Sequence, residues 1–266
     1  MTNCKGPAFS WLTPPVVFFA LLGALLTTWA VMEPAALVHF FDQGGYSPFE
    51  LATIPVFAAI IPFVWWKCPF AGSRTRRTVL CLMVSVVVVM AILKELDLHL
   101  QVLRSMYPDI LDESGSIRHG LFFKPDGRPL TGTPFKMRVL TNGAIPLMMK
   151  AWIVFYFGAF FGTFAAGFAY FGIPWIRGVL KLEAPAWSWG CFGGSGVVVQ
   201  ISDRLPAWLD HAFGLDKHAA EGITKATSLC TCLEEGGEMM IAIFALLTIY
   251  LGYRAVRAAE EAPSAR

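Results

Sequence analysis

Long apolar runs separated by short polar stretches dominate this chain. A helix that crosses a bilayer needs about 20 mostly apolar residues. Six runs reach or approach that length: Pro15 to Phe41, Leu51 to Phe70, Thr78 to roughly Leu103, Ile145 to Leu180, Pro185 to Ile201 and Glu234 to Tyr253. The pattern predicts an all-α fold, an integral membrane bundle of six transmembrane helices forming a single domain over residues 1–266. Pro55 and Pro62 fall inside the second run, where each removes a backbone donor and crowds the preceding turn, so a kink is expected there. The fourth run carries Gly158-x-x-x-Gly162, and small residues four apart let helix backbones approach closely. The first run is longer than the apolar part of a secretory signal and no small-residue cleavage site follows it, so it reads as a retained anchor.

Lys and Arg in the short loops set the orientation. The loop from Met32 to Glu50 has none, whereas Lys67, Arg74, Arg76 and Arg77 follow the second run, Arg177 and Lys181 the fourth, and Arg254 and Arg257 the last. Loops two and four and both termini are therefore expected on the cytoplasmic side, in a bacterial-type inner (plasma) membrane. Loops three and five then lie outside. Loop three, residues 104–144, is long for a connector, and such loops are often functional. Gly120 to Lys124 followed by Pro125-Asp126-Gly127-Arg128 has the chemistry of a short strand and a tight reversal. It forms either a small extracytoplasmic hairpin lid or a solvated loop with one turn.

Composition sharpens the membrane reading. Hydrophobic residues make up 56% of the chain and charged residues only 15%, against about a quarter in soluble domains. The net charge of +2 leaves no electrostatic footprint for nucleic acid, so the expected partners are membrane lipids. The six cysteines are scattered among the apolar runs and do not form a disulfide framework. Cys230 and Cys232 are too close to bridge without strain.

Three polar groups sit at the run ends assigned to the outer side: Lys94-Glu95-Leu96-Asp97-Leu98-His99, Ser202-Asp203-Arg204, and Glu234, Glu235 and Glu238. Residues four apart on a helix share a face, which pairs Glu95 with His99 and Glu234 with Glu238. Carboxylates and imidazoles offered at such spacings are how helical bundles hold metals, and mixed oxygen and nitrogen ligands suit Zn, Mn or Fe. Glu95, His99 and Glu238 are the candidate metal ligands. Asp203 is a further ligand or orients His99, and Glu235 is the candidate general base for a metal-activated water.

Each residue also has a plain structural role. Thr231-Cys232-Leu233-Glu234 fits a capping box at a helix start. Glu95 and His99 suit a solvated helix end, with Lys94 or Arg104 as ion-pair partner, and Asp203 can pair with Arg204. Gly193-Gly194-Ser195-Gly196 is similar to the serine motif of rhomboid proteases, but no histidine lies in the last run to act as base, and the cluster reads as helix packing. The histidine-rich signatures of known membrane-embedded metal hydrolases are absent.

Three functions fit this pattern. The first is a metal-dependent membrane hydrolase acting on a lipid or lipid-linked substrate at the outer face. The second is a cation- or proton-coupled transporter that uses the same acids, although polar groups are sparse in the cytoplasmic halves of the runs. The third is a non-catalytic membrane subunit or assembly factor.

Overall fold

A computed structural model of the chain describes residues 10–42, 47–96, 98–113, 115–123, 127, 129–130, 134–135, 137–213 and 225–261. Asp97, Cys4 and most of the expected 125–128 turn lie outside them. Helices account for nearly all the regular structure: α1 (Thr13–Val31), α2 (Pro34–Phe41), α3 (Pro48–Trp66), α4 (Arg74–Glu95), α5 (Leu98–Met106), α6 (Met137–Leu140), α7 (Leu147–Leu180), α8 (Ala184–Phe213) and α9 (Lys225–Glu261). Five of them, α1, α3, α4, α7 and α9, are long and apolar enough to cross a membrane. On α7, Phe155, Phe161, Phe168 and Ile173 all have more than half their surface exposed. That much bare apolar surface is stable only against lipid, and the protein is an integral membrane protein.

Several boundaries differ from those read off the runs. The first run is two helices. Pro34 has no N–H to donate and forces the residue before it out of helical geometry, so Met32 and Glu33 are extended, with ψ of 147° and 139°. The run after Arg74 is also two helices, broken between Glu95 and Leu98. The last helix begins nine residues before Glu234, at Lys225. α3 keeps both internal prolines and starts at Ser47, which forms a full capping box with Glu50.

The chain divides into two compact units, Met1–Val88 with Phe171–Arg266, and Val89–Tyr170. In the first, α9 is the central helix and packs against α8, α3, α2 and α1. Leu37, Phe41 and Cys232 form one buried cluster, and Cys191, Met240 and Phe244 another. α7 and α8 are joined by a short turn at Lys181–Glu183, closed by Glu183 N–H donating to the Gly178 carbonyl at 2.9 Å. Leu182 there takes a positive φ of 57°, a left-handed conformation that helix ends favour.

α8 runs antiparallel to α9: Ser188 meets Thr248 through a 2.8 Å hydroxyl–hydroxyl hydrogen bond, while Val199 meets Gly237. Ser188, Ser195 and Ser202 recur every seven residues on α8 and are all buried. Small residues at heptad spacing make a close left-handed seam. A Cβ on Gly237 would lie 2.6 Å from Val199 Cγ2 and 3.6 Å from the Ser195 carbonyl oxygen, and one on Gly236 would collide with Leu25 of α1. The two glycines are what lets α9 lie between its neighbours. Gly158, Gly162 and Gly167 on α7 behave otherwise: among the described residues nothing lies within 4 Å of a Cβ built there. The expected close helix contact at that stripe does not form among the described residues.

The second unit gathers the connector after α5 around a core of its own. Leu103, Leu111, Ile117, Leu130, Val139 and Ile145 pack with Met149 and Ile153 from the start of α7. Two isolated antiparallel bridges, Leu111 with Ile117 and Phe123 with Pro129, fold the connector back on itself. Gly115, with φ of 73°, makes the first reversal possible against Leu100.

Candidate functional site

The acids of α9 lie well inside the helix. Counting from Lys225, Glu234, Glu235 and Glu238 occupy about its third and fourth turns. The capping box expected at Thr231 and Glu234 does not form, and Thr231 Oγ1 instead donates to the Thr227 carbonyl at 3.3 Å. Tertiary packing overrides the local signal. Cys232 is fully buried, with its Sγ 3.5 Å from the Leu25 carbonyl, and the Trp29 indole N–H donates to the Lys225 carbonyl at 2.9 Å. These contacts hold Lys225 to Leu233 helical against α1. Glu234 therefore loses its explanation as a cap.

Glu238 is only 7% exposed, and Glu235 is half-buried. Three apart on one helix, they bring carboxylate oxygens within 4.8 Å of each other. Two carboxylates this close, with one of them buried, favour sharing a cation or a proton. Gly236 and Gly237, the two positions that admit Leu25 of α1 and Val199 of α8, separate them in sequence.

In the second unit, Glu95 is the last residue of α4 and 8% exposed, with Lys94 Nζ 3.5 Å from its Oε1. Glu95 and His99 do not share a face of one helix, because α4 stops at Glu95 and α5 starts at Leu98. His99 Nδ1 lies 3.2 Å from the Leu93 carbonyl. A carbonyl only accepts, so Nδ1 carries the proton. His99 satisfies one of the carbonyls that a helix end leaves open. The ring stacks on Tyr156, with centroids 5.2 Å apart and planes 15° apart, and tilts against Phe135 at 4.9 Å. With Nδ1 engaged this way, Nε2 is the ring nitrogen that a neutral His99 would offer to a metal. The Tyr156 hydroxyl donates to the Met90 carbonyl at 3.4 Å.

Asp203 is exposed and paired with Arg204 at 3.2 Å, and the close carboxylates of α9 do not include it. Cys230 and Cys232 are free thiols buried in the packing of α9. Tyr156 and Phe135 were not readable as partners of His99. Their only signal is that Tyr156 is a polar-tipped aromatic within an apolar run.

No protein-family model, no curated protein and no solved structure matches this chain.

Proposed function

We propose that this protein is a metal-dependent membrane enzyme that hydrolyses a lipid or lipid-linked substrate. One observation carries the reading: Glu235 and Glu238 stand side by side, with Glu238 buried, three to four turns inside an apolar helix long enough to cross a membrane. Ionisable groups placed within a membrane segment are costly and are retained for function. Carboxylate and imidazole ligands select Zn, Mn or Fe. A cation held by Glu238 would lower the pKa of a bound water, and Glu235 would take its proton. Glu95 and His99 complete the ligand set expected from the sequence, with Asp203 as its weakest member because Arg204 already occupies it. In this reading α8 is the sixth span, both termini are cytoplasmic, and the acids face the outer leaflet of a plasma membrane.

The test is the metal content of detergent-purified protein after exposure to Zn, Mn or Fe. Wild type should hold about one or two equivalents, as a coupled site would. Glu238→Gln and Glu235→Gln should lose them, and Glu95→Gln and His99→Ala decide whether those residues belong to the site. A wild type that holds no metal overturns the reading.

A second reading, proton- or cation-coupled transport, is favoured by the seam of buried hydroxyls. Ser188, Ser195 and Ser202 on α8, and Ser228 and Thr248 on α9, are buried along the same two helices as Glu238. Proton flux in vesicles that is abolished by Glu238→Gln, in a protein that binds no metal, would establish it.

A further inference from the structure

We propose that Cys68 and Cys81 are a redox-active dithiol, which closes to a disulfide by exchange with a low-molecular-weight disulfide. Cys68 lies just beyond the end of α3 and Cys81 in the second turn of α4, and their sulfurs are 3.7 Å apart. Both are free thiols. A disulfide bond is about 2.05 Å long, so closure needs the sulfurs to approach by less than the width of an atom. The two cysteines differ in access. Cys81 is 2% exposed, with its Sγ 3.5 Å from the Val64 carbonyl, whereas Cys68 is half-buried. Access is what decides which thiol meets a reagent first, so Cys68 is the attacking residue and Cys81 the resolving one.

The step balances. The Cys68 thiolate attacks one sulfur of the external disulfide and expels a thiolate, leaving a mixed disulfide on Cys68. The Cys81 thiolate then attacks Cys68 Sγ and expels the second thiolate. The two protons lost by the cysteines end on the two released thiols, and the external disulfide is the species reduced. The bridge would lock a connector already seated on α9. Lys67 Nζ lies 3.8 Å from the Trp66 ring and 4.8 Å from the Tyr253 ring, and Pro69 sits where a side chain on Gly252 would be. Oxidation would fix the α3–α4 corner against the end of the central helix.

Membranes carrying the full chain are equilibrated with mixtures of reduced and oxidised glutathione. Remaining thiols are blocked with a maleimide, and the protein is digested with trypsin. Cleavage after Lys67, Arg74, Arg77 and Lys94 puts the two cysteines on separate peptides. The expected product is one linked species, lighter than the two peptides together by two hydrogens, which returns to free thiols in excess reduced glutathione. In Cys81→Ser, glutathione should remain on Cys68; in Cys68→Ser, Cys81 should stay unmodified. Absence of the linked species at every glutathione ratio overturns the proposal. So does glutathione on both cysteines of the wild type without a link between them, or glutathione accumulating on Cys81 in Cys68→Ser.

Discussion

Ser47 meets three backbone needs at the start of α3. Its Oγ accepts from Glu50 N–H at 3.0 Å and donates to the Phe41 carbonyl at 2.8 Å, while its own N–H donates to Glu50 Oε2 at 2.8 Å. Ser47 is completely buried. Ser47→Ala would leave the Glu50 N–H and the Phe41 carbonyl without their partner in a place water does not reach. That should cost about 1–3 kcal/mol, read as a lower unfolding temperature in detergent, with Ser47→Thr recovering most of it. Residues 47–50 carry a Ser-x-x-Glu pattern that the apolar run starting at Leu51 does not point to. The similar signature expected to cap a helix at Thr231 and Glu234 misleads, because the helix is carried past it by Cys232 and Trp29 packing between α1 and α9. Local signals mark a helix start only where nothing in the tertiary structure extends the helix. His99 teaches the same lesson. Its spacing from Glu95 was readable, but the break in the helix between them was not, and the carbonyl it serves is six residues back.

Among the elements, the apolar runs located every long helix, because burial in lipid requires length and apolarity and both can be counted. What the runs could not separate was a glycine used for packing from one left open. Gly236-Gly237 and Gly158-x-x-x-Gly162 look equally like close-contact sites on paper. Among the described residues, only the first pair has neighbours in the space a side chain would fill. Gly237→Ala should therefore weaken the α8–α9 seam by about 1–3 kcal/mol, as overpacking does. Gly158→Ala should leave thermal stability unchanged or slightly raised, since alanine is the better helix former. A Gly237→Ala that costs nothing would mean that the seam is looser than the 2.6 Å approach to Val199 implies. The acids of α9 belong to this scale too. Their spacing was visible in the sequence, but their depth was not, because it depends on where Lys225 begins the helix.

For the molecule as a whole, the count of crossings decides the topology by parity. Five helices meet the length and apolarity of a span. α8 is 30 residues long, but glycines, serines, Asp203 and Arg204 dilute its apolar character. If α8 crosses as proposed, the segments before Thr13 and after Glu261 lie on the same side, and reporters fused at the two ends should give matching cytoplasmic signals. Opposite signals would leave α8 as a helix sheltered by α9 without crossing. The basic loops that set the orientation are legible in any sequence. Whether a moderately polar helix crosses is not, because that depends on how completely its neighbours cover the polar side.

The two units also differ in how far along the chain their partners lie, and that bears on the order in which the protein takes shape during synthesis. Among the described residues, the buried cluster of the Val89–Tyr170 unit runs from Leu103 to Ile153, with Phe157 packed against it, a contiguous stretch that is complete while α8 and α9 have yet to be made. Short-range closure of this kind is fast. The other unit has to wait. Its central helix is the last to emerge, and the bond between Trp29 and Lys225 ties residues 196 positions apart. Until α9 arrives, α1, α2 and α3 lack the surface they pack on, and Ser188 on α8 has not met Thr248. The contacts of one unit can thus form before α8 and α9 are made, while the other waits for α9.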